Sequence, residues 1–337
     1  MIPHRLIFIW FGQAFPYGNL LALRSARRWF RPEEILLIVD DPDSLMNQLE
    51  DCAAWPELTV RRADVSWFEG LPHAGALAAD LFGQGLSPAT KANLIRLAAL
   101  YKLGGIYLDF DTITLGTPAE APGNGAPLRD PRALLARSGF CGAEPLALPA
   151  SLFASRNPLR WAAAGLRLGA RQLCASLPGG WRIFRTFETL YPAAPNNAIL
   201  GAEPGHPFLE TCFRLMTELP EAERVKRFRL GTHLLQRAVA ATPTRSAPFP
   251  EGPHTPPQCR DFHVFPPPHF YPLGPEISAH WFRPGTAARL DEMLRPDTLI
   301  VHWYNSVESR LGGGALTRAW VETHGDTAFA EMVRRYC

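Results

Sequence analysis

The chain has 337 residues, which is enough for about two average domains or for a single α/β unit with insertions. Hydrophobic residues make up 47% and charged residues 20%, as in a globular protein with a large core. With 34 basic and 32 acidic residues, the formal net charge is only +2, which gives no reason to expect nucleic acid or an anionic membrane surface as a partner. The six cysteines are far apart without a C-x-x-C pair, so they indicate neither a zinc site nor a disulfide framework.

The N-terminal part alternates predicted strands and helices. The run RLIFIWF at 5–11 predicts a buried strand, and NLLALRSARRWF at 19–30 predicts an amphipathic helix. Two further strands are predicted at 34–41 (EILLIVDD) and 58–65 (LTVRRADV). This order predicts an α/β fold with a mostly parallel sheet flanked by helices, whose ligand crevice lies beyond the carboxyl ends of the strands.

The apolar run near the N-terminus is too short to span a bilayer, which requires about 20 residues. It is not followed by a small-residue cleavage site, and no later segment is apolar for long enough to cross a membrane. We therefore expect a cytoplasmic protein without an integral membrane segment.

The stretch PATKANLIRLAALYKLGG at 88–105 predicts a helix that ends at a glycine pair, and IYLDFD follows at once as a strand. This tight unit brings Asn93 and Arg96 near Asp109 and Asp111, which stand where a buried strand ends. Isolated charges there are costly unless they are paired or bind a metal. Two carboxylates so placed suit Mg²⁺ or Mn²⁺ together with nucleotide phosphates, whereas the alternative is a turn in which both only cap backbone N–H groups.

The second half is less regular in its pattern. A Pro/Gly-rich loop is predicted at 116–134, a mostly helical region at about 150–245 and an irregular proline-dense segment at 243–275. A late strand (TLIVHWYN, 298–305) and two short helices complete the chain. His206 with Pro207 is expected to begin a helix, and Asn196 and Asn197 either form a turn or have one member facing the substrate.

The stretch KANLIRLAALYKLGGIYLDFD resembles the S-D-x-x-R-(x)-G-G-x-Y-x-D-x-D block of sugar transferases with the GT-A fold. This group includes α-1,6-mannosyltransferases, α-1,4-galactosyl- and N-acetylglucosaminyltransferases, and glucosylating toxins. Further stretches resemble the family in the same order, namely IPHRLIFIWFG, PNNAILGAEPGHPFLE, VFPPPHFYPL and VHWYNSVES. The resemblance extends from residue 2 to about 310 and implies a Rossmann-like nucleotide-sugar-binding sheet with a helical insertion in the second half.

The resemblance implies a role for each matching residue. Catalysis would involve Asp109, Asp111 and Arg96. The donor would be bound by Ile9, Trp10, Phe11, Asn93, Arg96, Tyr107, Asp109, Asn197 and Ser306. The metal would be held by Asp111, Asp109, His302 and Asn305, with Asp111 as the more direct ligand.

Some of these residues also have purely structural interpretations. Arg96 can be a salt-bridge partner, Trp10 can be ordinary core, and His302 can be a buried histidine satisfied by its neighbours. Asn93 departs from the family, which has Asp at this position, so the recognition of the donor sugar is expected to differ.

The sequence thus predicts a metal-dependent, retaining glycosyltransferase that uses Mn²⁺ or Mg²⁺. It would move a sugar from a UDP-linked donor to a hydroxyl of a glycan, lipid-linked or protein acceptor. We expect a single domain, with a nucleotide-sugar-binding half at 1–115, a mainly helical acceptor side at 145–245 and a closing strand and loop at 295–310. Two alternatives are a haloacid-dehalogenase-like phosphatase that uses Asp109 as nucleophile, against which Ile113 counts, and a non-catalytic nucleotide-sugar-binding protein.

Overall fold

The computed structural model describes residues 1–84, 86–118, 128–153, 155–226, 228–242, 261–308 and 316–337. The strands are β1 Arg5–Trp10, β2 Glu34–Val39, β3 Leu58–Arg62, β4 Gly105–Leu108, β5 Thr112–Thr114, β6 Gly139–Pro145, β7 Ala193–Ala202, β8 His263–Phe265 and β9 Ile300–His302. The helices of the first half are α1 Tyr17–Phe30, α2 Pro42–Met46, α3 Gly75–Gly83, α4 Pro88–Leu103 and α5 Ala150–Phe153. Those of the second half are α6 Pro158–Ser176, α7 Gly180–Phe187, α8 Pro207–Thr217, α9 Glu221–Arg224, α10 Thr232–Ala241, α11 Leu290–Met293, α12 Asn305–Glu308, α13 Arg318–Thr323 and α14 Ala328–Tyr336.

A seven-stranded sheet in the order β3-β2-β1-β4-β7-β6-β8 forms the centre of the molecule. The four adjacent strands β3, β2, β1 and β4 are parallel to one another, and β6 is parallel to β8. Only β7 runs against its two neighbours within this sheet. The predicted mostly parallel sheet with flanking helices is therefore confirmed.

The sequence pattern of the second half did not indicate β7, one of the strands of this sheet. The region 145–245 contains the expected helices, but β7 crosses it and lies between β4 and β6 in the middle of the sheet. In its sequence AAPNNAILGA a proline and two asparagines follow the first two alanines, so the apolar run is too short to indicate a strand. The predicted late strand is also shorter than expected, since β9 spans only Ile300–His302.

Parts of three predicted segments lie outside the described residues. They are 119–127 of the Pro/Gly-rich loop, 243–260 of the proline-dense segment and 309–310 of the closing loop.

A tight corner connects α4 to β4. Ser87 caps α4 by accepting a hydrogen bond from the Thr90 N–H, and Pro88 occupies the first turn. The helix ends at Gly104, whose φ is +65°, and Gly105 follows with a φ of +128°. A Cβ at residue 105 would lie 2.8 Å from the Arg5 carbonyl oxygen, so both the backbone conformation and the available space require glycine.

The sequence Asp109-Phe110-Asp111 forms the turn between β4 and β5. The Asp109 N–H donates to the Ala198 carbonyl at 2.8 Å, which continues the pairing with β7. Phe110 is buried against Phe8, with ring centroids 5.1 Å apart, and anchors the turn in the core. Strand β5 then leaves the main sheet and pairs with β9, so that Thr112 lies opposite His302. The two aspartates therefore stand where the two sheets meet.

Helix α8 begins where the sequence predicts a helix start. The His206 Nδ1 accepts a hydrogen bond from the Phe208 N–H at 3.1 Å, and Pro207 is the first residue of α8, so the predicted helix start is confirmed. No helix within the described ranges is long and apolar enough to cross a membrane.

We predict that Gly105→Ala destabilises the protein by about 1–3 kcal/mol, because alanine at this φ is strained and its Cβ meets the Arg5 carbonyl. Urea unfolding followed by circular dichroism measures the change. Gly165→Ala in α6 is the control, since a Cβ there meets nothing within 4 Å and alanine favours the helix. Equal stability of the two variants would contradict this explanation of the corner.

Candidate active site

A cavity of about 650 Å³ opens beyond the carboxyl ends of β1 and β4. Its walls come from β1, α4, the Asp-Phe-Asp turn, β6, β7, the start of α10 and the segment after β9. All of the residues predicted from the sequence line it, namely Ile9, Trp10, Phe11, Asn93, Arg96, Tyr107, Asp109, Asp111, Asn197, His302, Asn305 and Ser306. The fold thus gathers positions from both ends of the chain around one space.

Asp111 is held from the side of β9 and α12. Its Oδ1 lies 3.0 Å from His302 Nε2, and its Oδ2 accepts a hydrogen bond from the Asn305 backbone N–H at 2.9 Å. Asn305 therefore contacts Asp111 through its main chain, while its side chain is exposed. One ligand atom each from Asp109, Asp111 and His302 lies within 4.8 Å of the others, which suits a single ion.

Asp109 is supported from inside the protein. Its Oδ1 accepts hydrogen bonds from Arg96 Nη2 at 2.9 Å and from the Tyr107 hydroxyl. The buried guanidinium also donates to the Tyr107 oxygen and to the Asn197 carbonyl, and it stacks over the Tyr107 ring at 4.0 Å. The role that the structure gives to Arg96 is thus to fix Asp109 and β7, and its predicted contact with the donor stays a prediction.

The two carboxyl groups are electrostatically unlike. Burial raises the pKa of Asp109 above its usual range, although the Arg96 guanidinium opposes this rise. Burial also favours a higher pKa for Asp111. The His302 imidazole and the Asn305 N–H outweigh this effect and lower the pKa of Asp111. For His302, burial lowers the pKa, but Asp111 outweighs it and raises the pKa above its usual value. Asp111 is thus the more readily ionised member, as expected for the more direct metal ligand.

Asn93 belongs to a chain of polar contacts that connects α4, β7 and the start of α10. Its Oδ1 accepts from Asn197 Nδ2 at 2.8 Å, and Asn197 Oδ1 accepts from the Thr232 hydroxyl at 3.0 Å. A Cβ at Gly231 would lie 2.7 Å from Asn93 Nδ2, so α10 begins directly over this amide. An aspartate could accept the Asn197 hydrogen bond equally well but would lack the N–H donors that Asn93 offers.

The aromatic wall is made by the end of β1. Trp10 is half-buried, its Nε1 donates to the Ala14 carbonyl at 3.0 Å, and its ring meets Phe110 edge-on at 5.8 Å. Ile9 and Phe11 lie on either side of it in the chain and also reach the cavity. Trp10 therefore packs on the Asp-Phe-Asp turn and lines the cavity, and its predicted contact with the donor stays a prediction.

Sequence reasoning missed Glu144 on β6. This buried carboxyl faces the cavity and accepts hydrogen bonds from Asn196 Nδ2 at 2.5 Å and from the Tyr304 hydroxyl at 2.8 Å. Burial raises its pKa, while these two hydrogen bonds oppose the rise. The available signal was a single charge inside the apolar stretch GFCGAEP, the same feature that draws attention to the aspartates.

Comparisons with known protein families indicate the class of protein to which this chain belongs. Residues 44–126 match the family model described as a glycosyltransferase sugar-binding region containing a DXD motif. Residues 201–337 match the model described as an alpha 1,4-glycosyltransferase conserved region. No curated protein matches the chain significantly in sequence.

Solved structures of glycosyltransferases show only a distant likeness. Mouse xyloside xylosyltransferase 1 in its apo form is 12% identical with a TM-score of 0.44, over 90% of this chain and 98% of that chain. The PaToxG glycosyltransferase is 14% identical with a TM-score of 0.39, over 71% and 69% of the two chains. The UDP-bound glycosyltransferase domain of the YGT toxin is 10% identical with a TM-score of 0.31, over 64% and 61%.

The chain is a glycosyltransferase, as both matched regions describe. More particularly, the resemblance to the DXD-containing GT-A sugar transferases is confirmed, because the sugar-binding model includes the Asp-Phe-Asp turn and the second model extends over β9 and the C-terminal helices.

We predict that Arg96→Met shifts the pH dependence of activity upward, because Asp109 loses the cation that lowers its raised pKa. The measurement is a pH profile of activity, with circular dichroism to verify folding. Arg5→Met is the control, since Arg5 pairs with Glu34 at the other end of β1. An equal loss at every pH would contradict the role of Arg96 in fixing Asp109 and would favour its contact with the donor.

Proposed function

We propose that this glycosyltransferase moves a sugar from a UDP-linked donor to a hydroxyl of a glycan, lipid-linked or protein acceptor, with retention at the anomeric carbon. The observation that carries the proposal is the convergence of Asp109, Asp111 and His302 in a cavity lined by every residue predicted to bind the donor. The UDP donor and the retention are supported by the resemblance of the sequence, and the cytoplasmic location stays a prediction of the sequence.

The residues fit a divalent cation. Two carboxylates and one imidazole offer oxygen and nitrogen ligands, a set that suits Mn²⁺ and also admits Mg²⁺ with phosphate oxygens and water. Asp109, Asp111 and His302 would hold the ion, and Asn305 would secure Asp111 through its backbone N–H. When bound, the cation neutralises the charge that develops on the leaving diphosphate. The His302 imidazole would have to be neutral to ligate the ion.

The chain's own residues position the reactants. The Trp10 wall and the Asp-Phe-Asp turn define one side of the cavity, where a nucleotide base and ribose fit against aromatic and apolar surface. Asn93 and Asn197 also line the cavity, where amides can hydrogen-bond sugar hydroxyls. Catalysis of this kind relies on orientation and on charge stabilisation by groups that are already in place.

The two alternatives from the sequence receive less support. A phosphatase of the haloacid-dehalogenase type needs a lysine beside Asp109, but Lys226, the only lysine after the turn, pairs with Glu223 and does not line the cavity. A non-catalytic binding protein is separated from an enzyme by turnover, which the following experiment measures.

We predict that Asp111→Ala reduces metal-dependent release of nucleoside diphosphate by about a thousand-fold or more, because it removes the ionised carboxylate at the centre of the site. The wild-type protein is first tested on UDP-glucose, UDP-galactose, UDP-N-acetylglucosamine and GDP-mannose with and without manganese. The variant is then tested on the donor that is hydrolysed.

Asp130→Ala is the matched control, since Asp130 caps a surface turn by accepting from the Arg132 N–H and does not line the cavity. Circular dichroism verifies that both variants are folded. Normal turnover by a folded Asp111→Ala would refute the proposed role of the aspartates. Metal-dependent binding of a donor without any turnover by the wild type would instead favour a non-catalytic protein or a requirement for the acceptor.

A further inference from the structure

Helix α6 has an inverted distribution of polar and apolar residues. Among its 19 residues the buried ones are Ala164, Arg171 and Cys174, and Arg171 forms an ion pair with Glu276 inside the protein. Leu159, Leu166 and Leu173 follow one another at intervals of seven residues and are 76%, 76% and 60% exposed. Residues seven apart lie on the same side of a helix, so these leucines form one outward stripe. A surface helix of a globular protein normally turns its leucines inward.

Further exposed apolar side chains lie close to this stripe in the chain. The segment 146–191 supplies nine large hydrophobic side chains that are exposed, which are Leu148, Phe153, Leu159, Trp161, Leu166, Leu173, Leu177, Ile183 and Leu190. We refer to these nine residues as the apolar face. Single exposed leucines need no explanation, but a concentration of this kind indicates an interaction surface.

The same segment is strongly basic. Residues 146–191 contain arginine at 156, 160, 167, 171, 182 and 185 and one acidic residue, Glu188, so their net charge is +5 (six minus one). Arg156, Arg160 and Arg167 form no ion pair with any residue that the structure describes. Arg160 and Arg167 also line a surface groove of about 430 Å³ together with Leu159 and Leu190, and its described lining includes no acidic residue.

The apolar face is connected to the active-site cavity. The Trp161 and Phe153 rings meet edge-on at 5.8 Å, and Phe153 lies 5.9 Å from the His233 ring, which lines the cavity. Leu148 belongs to the apolar face and is itself part of the cavity wall. A molecule bound on this face would therefore lie beside the cavity opening.

We propose that this face docks on an anionic lipid bilayer, with the leucine stripe of α6 in the interfacial region and Arg156, Arg160 and Arg167 at the phosphate groups. Leucines bordered by arginine are typical of protein surfaces that lie on a membrane. A second copy of the chain fits less well, since a two-fold interface would bury the same basic surface from both copies. The inference goes beyond the proposed function and does not depend on it, because vesicle binding requires neither donor nor metal.

The test is co-sedimentation of the full chain with vesicles of phosphatidylcholine alone and of phosphatidylcholine mixed with phosphatidylglycerol. We expect binding to the mixed vesicles, and binding at least about ten-fold weaker for the double variant Leu166→Glu/Leu173→Glu, because two apolar contacts are lost and two negative charges are added. The matched control is Val65→Glu/Leu128→Glu, which adds the same charge at exposed apolar positions outside 146–191. It should bind as the wild type does.

Three results would overturn the proposal. One is a failure of the wild type to bind the mixed vesicles, and another is equal binding to vesicles of phosphatidylcholine alone. The third is equal binding by the wild type and the leucine variant. Light scattering tests the competing occupant, since a wild-type dimer that the leucine variant dissociates would identify the face as a contact between copies. Donor hydrolysis is measured in parallel for the wild type and the leucine variant. A failure of the membrane proposal can then be distinguished from a failure of the proposed function.

Discussion

The contact of Arg96 with Asp109 is the interaction on which the site depends. A carboxylate at the end of a buried strand would lose its charge or disrupt the core if no cation stood behind it. Arg96 supplies that cation and also holds the carbonyl of Asn197, so one guanidinium joins α4, the Asp-Phe-Asp turn and β7. Phe110 completes the arrangement because its ring is anchored in the core between the two aspartates. The polar turn is therefore anchored in the core although its side chains face a cavity.

Much of this site could be predicted from the sequence because its signals are local. The glycine pair ends α4 and begins β4 within two residues, which fixes the distance between Arg96 and the aspartates. Glu144 could not be found in this way, since its hydrogen bonds come from Asn196 and from Tyr304, which are 52 and 160 residues away. Strand β7 was hidden for a related reason. Its two asparagines face partners on α4 and β6 that only the folded sheet brings near.

Whole-chain properties were less informative than local ones. The net charge of +2 gave no reason to expect a membrane surface, yet the arginines of 146–191 are concentrated around exposed leucines. The net charge of a whole chain averages over surfaces that face in different directions, whereas a binding partner contacts only one of them. The sequence predicted only a mostly helical region here, and the side on which α6 is buried reveals that its leucines face outward.

The position of β7 in the sheet also has a consequence for how the chain folds as it is synthesised. Strands β1 to β4 can pair with one another as soon as they leave the ribosome, since all of them lie before residue 109. The free edge of β4 then remains open until Ala193–Ala202 arrives to cover it. An uncovered strand edge readily pairs with other chains, so the nascent protein passes through a stage that is prone to aggregation. Asp109 and Asp111 meet His302 later still, because β9 follows β7 in the chain.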